Sequence, residues 1–159
     1  MLKFTNLIQE NTTSKFNIGL DIHGVINTIP EFFAFLTDSI IKNGGNVHII
    51  TGGTWNKNLQ DEVDRYHIKY THVFSVYDYL IESNANQIGS ISFEDGTIQR
   101  KFEDEQWDRV KGEYCSKNNI MMHIDDTLIY NEYFTTPFCR FWSHNNKPKA
   151  SHKSIRHIK

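Results

Sequence analysis

Residues 16–24, FNIGLDIHG, decide the fold, because an apolar run ends there in the carboxylate of Asp21. A short apolar run bounded by polar residues predicts a buried strand. The same arrangement recurs in residues 47–53, VHIITGG, and in residues 120–126, IMMHIDD. Each of these three stretches is predicted to be a strand with a polar cluster at its carboxyl end.

Predicted helices and further strands lie between these stretches. Residues 28–31, TIPE, have the spacing of a capping box and predict a helix that ends before Gly44, while Thr54 is predicted to cap the next helix. The alternation predicts an α/β domain with a parallel sheet. The other predicted elements are a strand at 73–76, a short helix at 78–83, a β-hairpin at 91–99 that turns at Asp95-Gly96, a helix at 104–117 and a strand at 138–142.

The carboxylates at these strand ends indicate a metal site. Parallel sheets bind ligands at the carboxyl ends of their strands, where Asp21, Asp125 and Asp126 would converge. Carboxylates at short distances repel one another and raise one another's pKa unless a cation holds them. Mg²⁺ prefers oxygen ligands and usually keeps water and substrate phosphate in its shell. We therefore expect Mg²⁺ as the cofactor.

The stretch at the end of the second strand indicates a phosphate-binding loop. Thr51 offers a hydroxyl, and Gly52 and Gly53 let backbone N–H groups approach an anion closely. A predicted helix N-terminus follows directly and favours negative charge.

Three motifs resemble a known family. Residues 21–25, DIHGV, residues 49–52, IITG, and residues 122–126, MHIDD, look like the first, second and fourth motifs of the haloacid dehalogenase (HAD) superfamily. They occur in the family's order, each after an apolar strand, and the resemblance extends over about residues 16–142. It implies a Rossmann-like three-layer α/β domain with a mainly parallel central sheet.

The resemblance implies a role for each motif residue. Asp21 would be the nucleophile that accepts the phosphoryl group as an aspartyl-phosphate, and Thr51 would hydrogen-bond to that group. The carboxylates of Asp21 and Asp125 and the backbone carbonyl of His23 would bind Mg²⁺. Asp126 would adjust the metal shell.

Family members also carry a lysine that neutralises the phosphoryl and carboxylate charges. Lys111 is the preferred candidate for catalysis and phosphate binding, because residues 108–111, DRVK, precede the final strand by a whole helix. This placement is similar to that in the phosphatase half of polynucleotide kinase-phosphatases. Lys117 is the alternative.

His23 departs from the family pattern, which usually has a second aspartate two residues after the nucleophile. A histidine can also protonate a leaving oxygen and activate water near neutral pH. Three interpretations therefore stay open: His23 is a working acid and base, it marks altered chemistry, or it marks a fold with impaired hydrolysis.

Residues 1–144 are expected to form a single domain with a minimal cap. Only 30 residues separate Asp21 from Thr51, which leaves room for one helix and a loop, and the hairpin insert at about residues 90–102 is also small. An open site of this kind suits a macromolecular substrate or closure by another subunit. The oligomeric state is left open.

The charge of the chain is uneven. The 159 residues carry a net charge of −2, but residues 145–159 hold five lysines or arginines and no acid, which leaves −7 on the rest. This tail is expected to be flexible, and it is either a solvated end or a basic arm that contacts a polyanion weakly. The acidic body argues against tight binding of duplex nucleic acid.

Two cysteines make neither a disulfide framework nor a Cys-rich zinc site. No apolar run approaches the roughly 20 residues that span a bilayer, and the first residues do not resemble a secretory signal. A cytoplasmic protein without membrane contact is therefore expected.

Some aromatic residues are expected to have structural roles. Trp55, Trp107 and Trp142 are predicted to lie in the core, and His48 and His123 to be buried histidines instead of ligands.

Together these features predict a Mg²⁺-dependent phosphomonoester hydrolase that acts on a nucleotide or on a polynucleotide end. The alternatives are a catalytically impaired module that binds phosphate or nucleic acid, and a HAD hydrolase of altered chemistry.

Overall fold

The computed structural model describes residues 16–93 and 96–143. The basic tail at 145–159 and Asp95 of the predicted hairpin turn lie outside these ranges.

Five of the seven strands within residues 16–93 and 96–143 form a parallel sheet. Its order is β3-β2-β1-β6-β7, and every neighbouring pair runs parallel. This is the mainly parallel central sheet that the sequence predicted, flanked by helices in a Rossmann-like α/β arrangement. The strands are β1 (Asn17–Leu20), β2 (Asn46–Thr51), β3 (His72–Ser75), β4 (Gln87–Ser92), β5 (Ile98–Phe102), β6 (Met122–Asp125) and β7 (Phe138–Arg140).

The helices are α1 (Pro30–Lys42), α2 (Lys57–Arg65), α3 (Val76–Glu82) and α4 (Asp104–Lys117), with 3₁₀ helices at Ile26–Thr28 and Leu128–Tyr133. Both bounds predicted for α4 are confirmed. Within residues 16–93 and 96–143, no helix combines the length and the apolar character needed to cross a membrane.

The predicted caps of the first two helices are wrong. Thr28 ends a 3₁₀ helix, so the residue before α1 is Ile29, which has no capping side chain, although Pro30 does occupy the first turn. Asn56, not Thr54, caps α2, because its backbone is extended and its side chain accepts a hydrogen bond from the Leu59 N–H.

The core is built from the central strands together with the turns and helices that pack on them. Trp55 and Trp107 are partly buried, and His48 and His123 are buried as predicted. The prediction for Trp142 is wrong: its side chain is 54% exposed because it lies beyond the end of β7, at the sheet edge. The fully buried apolar side chains include Leu20, Ile22, Val25, Ile26, Phe33, Val47, Ile49, Ile50, Val63 and Val76.

The predicted hairpin is present and longer than expected. β4 begins at Gln87, and β4 and β5 pair antiparallel in a two-stranded sheet of their own. Two features anchor the base of the hairpin. The side chain of Phe102 is buried, and the Tyr77 hydroxyl accepts a hydrogen bond from the Arg100 N–H at 3.0 Å. All of β4 is exposed.

Candidate functional site

Three strand ends bring the predicted site residues to one edge of the sheet. Leu20 of β1 pairs with Ile49 of β2 on one side and with Ile124 of β6 on the other. The next residue, Asp21, donates its N–H to the Ile124 carbonyl at 3.0 Å. Because β6 ends at Asp125, the two carboxylates come from adjacent parallel strands.

Asp126 completes a group of three carboxylates. One oxygen from each of Asp21, Asp125 and Asp126 lies within 4.8 Å of the others. Gly24 makes room for this arrangement, because its φ is +87° and a Cβ there would overlap Asp126 Oδ2. The turn after β1 and the turn after β6 are therefore packed against each other at this edge.

Lys111 contacts two of these three carboxylates. Its side chain is 2% exposed, and Nζ donates to Asp21 Oδ1 at 2.9 Å and to Asp125 Oδ2 at 2.6 Å. The ammonium also lies 4.8 Å from the centroid of the Tyr130 ring. Lys117, the alternative lysine, is exposed at the last position of α4. The structure thus brings Lys111 to the carboxylates.

The two paired aspartates have opposite pKa shifts. Burial raises the pKa of Asp21 to about 6, against the opposing charge of Lys111. Burial also acts on Asp125, but the Lys111 charge and the hydrogen bond from His123 outweigh it and hold that pKa well below its usual range. Desolvation of Lys111 is likewise outweighed by Asp125 and Asp21, which raise its pKa. At neutral pH, Asp125 and Lys111 are therefore firmly charged.

His123 is a site contact that the sequence analysis did not find. Its Nε2 lies 3.1 Å from Asp125 Oδ2, and its ring stacks on Phe134 with centroids 5.3 Å apart. Burial lowers the pKa of His123, which favours the neutral ring that donates from Nε2. The spacing could have predicted this contact, because His123 and Asp125 are two residues apart on one strand and such residues share a face of the sheet.

The loop at the end of β2, which contains Thr51, Gly52 and Gly53, is held by three hydrogen bonds. Thr51 is buried and lies one residue beyond the position opposite Asp21; its Oγ1 accepts from the Gly53 N–H at 3.4 Å. The Gly53 carbonyl accepts from Ser75 Oγ at 2.8 Å, and the Gly52 carbonyl accepts from the Tyr77 N–H at 3.3 Å. The predicted helix N-terminus does not follow directly, since α2 begins four residues after Gly53.

His23 lies on the turn after β1 with its side chain 52% exposed. Its Nε2 is 3.5 Å from Oε2 of Glu62 on α2. Sequence spacing does not predict this contact, because His23 and Glu62 approach each other only through the tertiary packing of α2.

The charges at this edge suit a divalent cation. Lys111 brings one positive charge to three carboxylates, and His123 is neutral, so among the described residues negative charge is in excess around the group of three. Carboxylate oxygens are ligands that Mg²⁺ prefers, and this donor set leaves ligand positions for water or phosphate.

Comparison with known proteins gives no match to a family model and no significant match to a curated protein or to a solved structure.

Proposed function

We propose that this protein is a HAD-type, Mg²⁺-dependent phosphomonoester hydrolase with Asp21 as its nucleophile. One observation carries the proposal: a buried lysine, Lys111, holds Asp21 and Asp125 at 2.9 and 2.6 Å at the ends of two adjacent parallel strands. Asp126 adds a third carboxylate within 4.8 Å. This is the set of charges that phosphoryl transfer to a carboxylate requires.

In the proposed reaction, a carboxylate oxygen of Asp21 attacks phosphorus while the bond to the leaving oxygen breaks. Lys111 and the Thr51 hydroxyl stabilise the charge on the transferring phosphoryl group. His23 gives a proton to the leaving oxygen and later takes one from the water that hydrolyses the aspartyl-phosphate. Mg²⁺ held by Asp21, Asp125, Asp126 and the His23 carbonyl would supply further charge stabilisation.

For the substrate we propose a nucleotide or a polynucleotide end. Arg140 pairs in register with Asp125, so β7 ends beside the site. The Arg140 guanidinium lies 4.9 Å from the centroid of the exposed Trp142 ring. Nucleic-acid bases stack on aromatic and guanidinium groups of this kind. The five basic residues of the tail follow in sequence. Two free thiols, Cys115 and Cys139, fit the reducing cytoplasm that belongs to this proposal.

The test is turnover of an aryl phosphate and of phosphorylated oligonucleotides with and without Mg²⁺. We expect Mg²⁺-dependent release of phosphate that EDTA abolishes and that Asp21→Asn loses. Asp38→Asn is the matched control, since Asp38 is an aspartate of α1 in a surface pair with Lys42. Wild-type protein without turnover across a broad panel of phosphomonoesters would refute the hydrolase.

The alternative is a phosphate- or nucleic-acid-binding module without turnover, or a hydrolase of altered chemistry. It is favoured by His23 at the position where the family usually has its acid–base aspartate. Binding of a phosphorylated oligonucleotide without its hydrolysis, retained in Asp21→Asn, would support the binding module.

A further inference from the structure

We propose that Glu62 is a positioning residue that holds Nε2 of His23, so that Nδ1 is the ring nitrogen that exchanges a proton with the substrate. The inference rests on the proposed function, because it requires a phosphoryl transfer in which His23 acts as acid and base.

Each carboxylate oxygen of Glu62 has a side-chain contact. Oε2 lies 3.5 Å from His23 Nε2, and Oε1 accepts a hydrogen bond from the Tyr66 hydroxyl at 3.4 Å. Tyr66 follows Glu62 by one helical turn and packs against the main core cluster. The partly buried Glu62 therefore presents a fixed acceptor to the imidazole.

The backbone of His23 is fixed, but its ring has no comparable packing. The adjacent Gly24 donates its N–H to Asn27 Oδ1 at 2.7 Å and has a φ of +87°, which fixes the turn. The imidazole itself is about half exposed and would otherwise populate several rotamers. Contact with Glu62 selects one rotamer and one donor nitrogen, and this orientation is what proton transfer to a bound substrate needs.

The proton balance follows from this assignment. With Nε2–H donated to Glu62, a protonated His23 gives the Nδ1 proton to the leaving oxygen as the ester P–O bond breaks and the Asp21–phosphorus bond forms. The neutral ring then takes a proton at Nδ1 from the attacking water, phosphate leaves, and Asp21 returns as a carboxylate. Glu62 gains and loses no proton in the cycle.

The pair is distinct from an ordinary surface ion pair on the same helix. Lys57 and Asp61 form such a pair between two exposed side chains one turn apart. His23 and Glu62, in contrast, come from different elements, and one of them lies two residues from the proposed nucleophile. Asp61 therefore offers a matched control.

The experiment compares kcat/KM, which reports phosphoryl transfer to Asp21, for wild type, Glu62→Ala, Glu62→Gln and Asp61→Ala on p-nitrophenyl phosphate and on an alkyl phosphate. We expect Glu62→Ala to lose about 10- to 100-fold on the alkyl ester, whose leaving group needs the proton, and clearly less on the aryl ester. Glu62→Gln keeps an acceptor oxygen and should retain more activity, and Asp61→Ala should match wild type. In a His23→Ala background, Glu62→Ala should have no further effect.

Several results would overturn the assignment while leaving the hydrolase intact. These are equal losses of kcat/KM by Glu62→Ala on both esters, an undiminished Glu62 effect without His23, or a wild-type kcat/KM in Glu62→Ala. A ¹⁵N NMR spectrum of the His23 ring gives an independent readout: the Nε2 chemical shift should change in Glu62→Ala, because the contact of Nε2–H with the carboxylate is lost, and should stay unchanged in Asp61→Ala. A wild-type enzyme inactive on every ester would refute the proposed function and this inference together.

Discussion

Charged side chains are buried at the carboxyl edge of the sheet, whereas apolar side chains are exposed in the hairpin of β4 and β5. Lys111 is 2% exposed between two aspartates, and Ile98 of the hairpin is 69% exposed. Ile88, Ile91 and Phe93 are also exposed. Packing on the five-stranded sheet thus decides burial here, even against the preference of the residue type. Substitutions should accordingly have large effects at the site and small effects in the hairpin.

The largest effect is expected for Lys111→Met, which removes the cation between two buried carboxylates. An uncompensated buried charge costs about 3–5 kcal/mol, so the free energy of unfolding should fall by this amount in EDTA, and kcat should fall about 10²–10³-fold. Urea unfolding and phosphate release measure the two effects. Lys117→Met, at the exposed end of the same helix, is the control and should change little. Equal stability of the two variants would contradict the central role of Lys111.

Gly24→Ala tests the packing of the two turns that form the site. A methyl group at φ +87° is strained and overlaps Asp126, so we expect a loss of about 1–3 kcal/mol in the free energy of unfolding and weaker Mg²⁺ binding. Gly89→Ala is the control from the hairpin, since a Cβ there meets nothing within 4 Å. Thermal denaturation with and without Mg²⁺ gives both quantities. Unchanged Mg²⁺ binding would show that Asp126 tolerates displacement.

His48 offers a third case, a buried polar group without a compensating charge. It stacks on His72 with ring centroids 4.2 Å apart, its Nδ1 lies 2.8 Å from the Tyr114 hydroxyl, and its Nε2 has no hydrogen-bond partner among the residues that the structure describes. Burial, and then the charge of His72, lower the pKa of His48 from 6.5 to about 4. The unfolded chain therefore binds more protons between these values.

The sign of the resulting pH dependence is fixed by linkage. The contribution of neutral His48 is complete above pH 6.5 and is lost as the pH falls toward 4, by about 1.4 kcal/mol per pH unit. Urea unfolding of wild type and His48→Phe between pH 7 and pH 4 gives this contribution as the difference between the two curves, because the raised pKa of Asp21 adds a slope of opposite sign to both. The variant keeps an aromatic ring beside His72. An unchanged slope in His48→Phe would assign the acid sensitivity to other groups.

The smallest effect is expected for Ile98→Thr in the hairpin. Because this side chain is mostly exposed on a two-stranded sheet, the free energy of unfolding should change by no more than about 0.5 kcal/mol. Chemical denaturation of the variant beside wild type is sufficient. A loss above about 1.5 kcal/mol would mean that the hairpin is packed as firmly as the sheet.

The sequence predicted the parts of the molecule that depend on local pattern. Hydrophobic runs and helical periodicity predict an apolar strand directly before Asp21, another that ends at Asp125, and the bounds of α4. The structure contains all three. Convergence of the strand ends followed from the geometry of parallel sheets.

Other features required tertiary structure. Asn56, and not Thr54, caps α2, because the position of the cap depends on backbone angles that the spacing of the sequence does not determine. Glu62 meets His23 only after α2 packs, and Trp142 is exposed because β7 ends early at the sheet edge. Apolar composition alone does not determine which end of an edge strand is covered.

The ion pairs of Lys111 also bear on the order of folding. Lys111 and Asp125 are 14 residues apart in the chain, but Lys111 and Asp21 are 90 apart. β1 can pair with β2 early, since a short connection joins them, whereas its pairing with β6 must await the distant half of the chain. During synthesis, Asp21 therefore emerges long before the lysine that neutralises it. Closure of the sheet and assembly of the charged cluster thus become one late event, and a chain stalled before α4 would hold the carboxylate of Asp21 without its lysine partner.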